Sequence, residues 1–253
     1  MSVVFAAGFL VPQQLAGLEY FRGAAAAFPG ALFPPVPPLA DVKTRAARLA
    51  SEINAAFPAG PIHIVAHSMA GLDARYLLCQ NLCGLADPGR VASLSTISTP
   101  HWGSPIADLL VGTQPSLFDP RRFTYDVLVQ LAAELGQPLG ALGNLTSSFA
   151  QTFNPQNPKV KNIDYYCYAG AGMESFLLKA PHLYIGLVGQ SGDERANDGL
   201  VSVRSASWLP LAEPVWTNAD HISEVGYNLS SPTLVSAFDH IGAYRRILAR
   251  AGA

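Results

Sequence analysis

Apolar residues fall into two alternating patterns along the chain. Val3 to Ala7, Ile62 to Ala66, Val91 to Ile97 and Ile163 to Ala169 are short runs rich in β-branched and aromatic residues, with the continuity of strands buried on both faces. Between them the spacing becomes helical: Val42, Ala46, Leu49, Ala50 and Ile53 recur at one-turn intervals, with Asp41 placed to cap the start and Phe57-Pro58 to close the end. A second helix is predicted from Gly71 through LDARYLLCQNL to Gly84, and a last one over residues 233–249. The proline cluster at positions 34–38 cannot be helical and reads as an extended connection. Strand following helix following strand predicts an α/β fold with a mostly parallel central sheet flanked by helices, in one domain over residues 1–253.

The rhythm changes between about residues 106 and 153. Phe123, Val127, Leu128, Leu131 and Leu135 form an apolar stripe after Asp119-Pro120, and residues 139–153 form a second helical stretch ending before Asn154-Pro155. This segment is expected to be a small helical cap or lid inserted between strands. Further strand signal returns at residues 214–217.

Composition narrows the function classes. Charged residues are 13% of the chain and hydrophobic ones 49%, which excludes a disordered, solvating chain. A formal net charge of −2 with scattered Lys and Arg argues against nucleic-acid binding. No apolar run reaches the roughly 20 residues that span a bilayer. The apolar N-terminus has no basic start and is needed as the first strand, so the expectation is a cytoplasmic protein, or a secreted one whose leader has been removed. Cys79 and Cys83 lie four apart on a predicted helix, poor geometry for a disulfide, and the three cysteines are expected to be buried free thiols.

The candidate chemistry begins at Ile64-Val65-Ala66-His67-Ser68-Met69-Ala70-Gly71. Ser68 sits between a strand and a helix, the setting in which a nucleophilic serine is presented on a sharp turn, although alanine fills both positions where glycine is usual. A serine hydroxyl needs a base, and the base needs an acid to orient it. Asp198 in NDGLVS and His221 in DHISE follow in the order Ser, Asp, His that an α/β-hydrolase requires, each in a loop after a strand-like segment. Asp193 and Asp220 are the fallback acids. His67 and His101 read as structural, and His63, His182 and His240 as core or surface residues.

Five stretches carry a wider likeness: AGFLVPQQLAGLEYFRG, AHSMAGLDARYLL, STISTPHWGSPIADLL, YYCYAG, and NDGLVSVRSASW followed by DHISE. In this order they resemble the bacterial true lipases, the Pseudomonas and Burkholderia type triacylglycerol lipases. The resemblance implies an α/β-hydrolase fold and a lipid-degrading serine hydrolase with Ser68 as nucleophile, Asp198 as orienting acid and His221 as base. It further implies an oxyanion hole built from the backbone N–H groups of Phe9 and Met69, and no cofactor. Tyr20, Phe21 and Trp102 are candidates for the substrate pocket, with core packing an equal alternative for Tyr20 and Phe21. The expected partner is an ester or lipid substrate met at a lipid–water interface.

The chain departs from that family where Ala7 replaces a histidine, Trp102 an arginine and Ser223 an aspartate near the catalytic histidine. Many of the family's members hold calcium there. With Ser223 and a lone Glu174 available, no bound metal is expected. A short-chain carboxylesterase or polyester depolymerase uses the same triad, as does an acyltransferase, and a catalytically dead binding module is the alternative of another class.

Overall fold

Four parallel strands, β1 (Ser2–Ala6), β4 (Ile62–His67), β5 (Val91–Ile97) and β6 (Asp164–Tyr168), form the centre of the molecule in the order β1-β4-β5-β6. A short antiparallel pair, β2 (Gln14–Leu15) and β3 (Leu18–Glu19), lies outside this sheet. The structure is a computed structural model that describes residues 2–8, 14–15, 18–112, 114–116, 119, 122, 125–126, 129 and 139–253. The stripe from Phe123 to Leu135 and the oxyanion candidate Phe9 lie outside the described residues.

Every residue of β4 is buried, as its unbroken apolar sequence requires. Alternation along each strand divides the core in two. Val3, Phe5 and Val65 meet Tyr244 and Ile247 of the His240–Arg250 helix on one face. Val4, Ile62 and Ile64 meet Leu49 and Ile53 of the Val42–Ala56 helix and Leu77 of the Ala70–Cys79 helix on the other. Asp41 caps the Val42–Ala56 helix as expected, its side chain accepting from the Thr44 N–H at 2.7 Å.

A third apolar cluster joins the cap region to the helix that follows Ser68. Ile106 and Leu109 of the Pro105–Val111 helix, Leu142, and Phe153 of the Ser147–Gln156 helix pack with Met69 and Leu72. Because the four strands are parallel, the loops leaving β1, β4, β5 and β6 collect at one edge of the sheet.

Several predicted boundaries are corrected. The helix after Ser68 stops at Cys79, because Asn81 and Cys83 adopt φ of 48° and 54° and the Asn81 side-chain Oδ1 accepts from the Ala86 N–H. The three thiols are free, but Cys83 is exposed and Cys79 partly so, and Cys167 alone is buried. The Ser147–Gln156 helix passes through Pro155. Asn154 is held in it by Arg75, which donates to Oδ1 at 2.9 Å, and by its own amide, which donates to the His101 carbonyl at 2.8 Å. The last helix begins at His240, capped by Asp239, since residues 233–238 are used in loop contacts such as the Ala237 N–H donated to Glu174. The run at 214–217 is a single bridge, Gly170 to Trp216, rather than a strand, because the chain turns back at once through the Ala219 N–H donated to the Trp216 carbonyl.

Leu49 is fully buried against β4, whereas Arg48 beside it is exposed. Leu49→Ala should lower unfolding stability by about 2–5 kcal/mol through the cavity it leaves, and Arg48→Ala by less than about 0.5 kcal/mol. Urea denaturation of both variants checks the assignment of this helix to the core.

Candidate active site

Ser68 leaves the end of β4 with φ of 59°, in the left-handed region that a side chain rarely occupies. Such a conformation costs on the order of 1–3 kcal/mol and persists only where its surroundings hold it. Three hydrogen bonds do so. The Ser68 N–H donates to the Ile97 carbonyl at 2.9 Å, and the Ser68 carbonyl accepts from Thr99 Oγ1 at 2.7 Å and from the Gly71 N–H at 3.1 Å. Ala66 and Ala70 are buried at 0% and 1% exposure. A Cβ on Gly71 would overlap Thr99 Oγ1, and one on Gly8 would stand 2.6 Å from Ser68 Cβ. Gly71 and Gly8 thus add to the close packing that the sequence pattern places at positions 66 and 70.

Ser68, His221 and Asp198 come together. His221 Nε2 lies 2.9 Å from Ser68 Oγ, and Nδ1 lies 2.7 Å from Asp198 Oδ2. Asp198 is fully buried, and its other oxygen accepts from the N–H groups of Leu200 and Val201 at 2.9 and 2.7 Å. The His221 N–H donates to the Asp198 carbonyl at 2.9 Å, so the backbones of the acid and histidine loops are joined as well as their side chains. Asn197 shapes the acid loop by accepting from the Gly199 N–H at 2.8 Å, where φ is 97°. Met69 opens the helix after Ser68, at the end where backbone N–H groups lack intrahelical acceptors.

Neither fallback acid faces the His221 ring. Asp193 is exposed in the Gly192–Arg195 turn of helix. Asp220 is fully buried and turned onto backbone: Oδ2 accepts from Glu174 and Ser175 at 2.9 and 2.5 Å, and Oδ1 from Ile222 and Ser223 at 3.1 and 2.8 Å. It pins the loop after β6 to the loop carrying His221. Of the pocket candidates, Phe21 packs in the core with its ring 5.4 Å from Phe5 and 5.9 Å from Tyr244. Tyr20 is buried with its hydroxyl on His67, and Trp102 is 41% exposed beneath Arg204.

His101 is buried between Thr96 and Arg75, with burial and the neighbouring guanidinium holding its pKa well below the usual value. His63 is buried and bonded to Ser93, and His240 is bonded to the Arg22 carbonyl.

Two functional contributors escape the sequence. Arg45, between the apolar positions of its helix, is fully buried, donating to Asp73 Oδ2 at 2.8 Å, the Ala7 carbonyl at 2.7 Å and the Pro37 carbonyl at 2.9 Å. Glu224, in the DHISE motif but given no role, is fully buried beside His67, with Oε2 at 3.0 Å from His67 Nε2. Burial raises the Glu224 carboxyl well above the ordinary carboxylate range, reinforced by Asp198, and lowers His67 well below its own, reinforced by His221. The signal available for Glu224 was its position three residues after His221, within reach of the same turn.

The residues do not fit a calcium ion near His221. The Ser223 hydroxyl is engaged with the backbone of Asp220, both Asp220 oxygens are taken by N–H groups, and Glu174 accepts from Ser236 and the Ala237 N–H. His67, His221 and Glu224 bring potential ligand atoms within 4.8 Å of one another, but those atoms are engaged in the hydrogen bonds described above and in the one between Tyr20 and His67.

With this geometry in place, the likeness to known proteins has a physical counterpart. No protein-family model matches the chain. A yeast protein, triacylglycerol lipase 2 of Saccharomyces cerevisiae, is 33% identical over 153 residues, covering 58% of this chain and 40% of that protein. A triacylglycerol lipase of Vibrio cholerae is 27% identical over 208 residues, covering 73% and 64%. The chain therefore spans less than two thirds of the length of these relatives. Among solved structures, the Staphylococcus hyicus lipase superposes with a TM-score of 0.70 at 18% identity, covering 99% of this chain and 96% of that one. The mature Bacillus licheniformis lipase gives 0.67 at 21%, covering 98% and 91%, and a metagenomic carboxyl esterase 0.68 at 18%, covering 100% and 75%. The fold is that of the lipase and esterase α/β-hydrolases.

Ala70→Val overpacks the turn by about 1–3 kcal/mol and should lower kcat/KM; Gly71→Ala, which drives a methyl into Thr99, should lower it further. Steady-state kinetics of the two variants test this order, and an Ala70→Val variant with full activity defeats the close-packed turn. Because no cation is needed to join the loops, EDTA should leave the melting temperature unchanged in a thermal scan, and a clear fall on chelation defeats that reading.

Proposed function

We propose that the chain is a serine carboxylic-ester hydrolase that works through an acyl-enzyme, with acylglycerols as its preferred substrates. The observation that carries this reading is the continuous line from Ser68 Oγ through His221 to Asp198, at 2.9 and 2.7 Å. In this reading Ser68 Oγ attacks the ester carbonyl carbon while His221 Nε2 removes the hydroxyl proton. Asp198 orients His221 and stabilises the imidazolium that forms. The tetrahedral oxyanion is held by the N–H groups of Met69 and Phe9, donors that stay fixed while charge develops. Collapse expels the alcohol, which takes the proton from His221. Water, activated by the same base, then attacks the acyl carbon, releasing the acid and restoring Ser68.

The names of the yeast and Vibrio relatives support the acylglycerol substrate. The five ordered segments of likeness support membership of the Pseudomonas and Burkholderia type lipases as the finer assignment. In this assignment residues 1–253 form a single hydrolase domain, with residues 106–153 as its cap or lid insertion. Among the described residues no helix is long and apolar enough to cross a membrane. The second reading, a carboxylesterase acting on short acyl chains, is favoured by the equally close fold of a carboxyl esterase.

Hydrolysis of p-nitrophenyl esters from acetate to palmitate separates the two readings: rates should peak at long chains, and a collapse beyond hexanoate selects the esterase. A fluorophosphonate should label wild-type protein on Ser68. Ser68→Ala should lower kcat by on the order of a millionfold, as loss of a triad nucleophile does elsewhere. Wild-type protein that neither labels nor hydrolyses any ester leaves only the binding-module reading.

A further inference from the structure

Behind the triad runs a second line of buried polar groups that the hydrolytic steps do not use. Tyr20 Oη and His67 Nδ1 share a hydrogen bond at 2.7 Å, His67 Nε2 and Glu224 Oε2 share one at 3.0 Å, and Ser98 Oγ donates to Glu224 Oε1 at 2.6 Å. The four residues come from different segments: the turn after β3, the end of β4, the end of β5 and the loop of His221. All are buried, with Glu224 at 0% and His67 at 1% exposure. A buried polar network is costly wherever one member is left unpaired, so its completeness here points to a task beyond packing.

Both ends of the line touch the reacting geometry. At one end Gly8 adjoins the Tyr20 oxygen. Gly8 stands so close to Ser68 and Tyr20 that an added Cβ would lie 2.6 Å from Ser68 Cβ and 2.9 Å from Tyr20 Oη. Gly8 is also the last described residue before Phe9. At the other end Glu224 belongs to the turn that begins at His221, and the Glu224 carbonyl accepts from the Tyr244 hydroxyl at 2.6 Å, which fastens that turn to the core. In the middle, the His67 ring packs 4.6 Å from the His221 ring.

We propose that Tyr20, His67 and Glu224 act as one positioning unit that fixes the end of β1 and the His221 loop against Ser68, so that the line is spent on the tetrahedral transition state and not on binding substrate. This rests on the ester-hydrolase reading of the same site. Tyr20 is thereby a positioning residue and not a wall of the acyl pocket. Displacing a reacting group by about 1 Å costs on the order of a hundredfold in rate, which sets the scale of the effect.

The test is a double-variant cycle on the full chain with a soluble p-nitrophenyl ester. Tyr20→Phe and Glu224→Gln should each lower kcat by about tenfold to a hundredfold while KM changes by less than about twofold, the signature of an interaction realised in the transition state. Affinity for an alkyl boronic acid, which forms a tetrahedral adduct on the serine, should fall by the same factor. The double variant should be no worse than the poorer single one by more than about twofold, because coupled residues are not additive. Variants that lose melting temperature but keep kcat and boronate affinity, or single effects that simply multiply, overturn the proposal and leave a stability role. Should one variant fail to fold, the other gives the same kinetic split or overturns the proposal alone. A wild type that labels and turns over beside unimpaired variants removes only the positioning unit; a wild type that does neither removes the hydrolase reading and this proposal with it.

Discussion

The left-handed turn at Ser68 is the constraint on which the rest of the site depends. A serine with φ of 59° is presented at the end of a strand that is buried on both faces, and a strained residue stays where it is only if its neighbours cannot yield. The bonds to Ile97, Thr99 and Gly71 hold it, and two of those three partners lie on or just beyond β5, the next strand of the sheet. The apolar core therefore has a direct functional output: packing on both faces of β4 fixes the register with β5, and that register brings the Ile97 carbonyl and the Thr99 hydroxyl to Ser68. Gly71 and Gly8 complete the turn by having no side chain where Thr99 and Ser68 approach them.

Around this rigid point the loops are located by hydrogen bonds to backbone. Asp198 spends one carboxylate oxygen on its own loop and the other on His221. Asp220, next in sequence to His221, spends both oxygens on four N–H groups from two loops. The two adjacent residues have opposite tasks, one buried to organise backbone and the other turned to the serine. Carboxylates suit the first task because each offers several acceptor sites, and N–H groups of a loop have no other partners once it is folded over the sheet. Glu174 repeats the device by accepting from Ser236 and Ala237, and so the segment before the last helix is tied to the same assembly.

Buried charge and polarity are concentrated under the active edge of the sheet. Arg45 joins the end of β1 to the helix after Ser68 through Ala7 and Asp73, and Arg75 lies flat on Trp208 at 3.6 Å while bonding His101, Asn154 and Asn157. Each guanidinium crosses between segments that the apolar clusters alone would leave free to slide. Desolvation disfavours charge on His67, His101 and Glu224, and the neighbouring titratable groups push the same way.

The sequence by itself determined the elements whose signal is local. The capped helix from Val42 and the strands β4 and β5 follow from periodicity and capping, because these express contacts within a turn or along one strand, while the order Ser68, Asp198, His221 was legible only as a set of motifs. The fold class follows from the alternation of strand and helix. Only the tertiary structure decided where the signal is long-range. It brought Gly71 and Gly8 against Thr99 and Ser68, gave Asp220 to backbone, drew Tyr20 to His67, and buried Arg45 and Glu224. It also overrode local rules at Pro155, where Asn154 is held by Arg75 and the His101 carbonyl, and at residues 233–238, whose polar groups serve loops. The physical reason is common to all of these. A side chain's hydrogen-bond partner far along the chain leaves no trace in the spacing of its neighbours, whereas the face it must bury does.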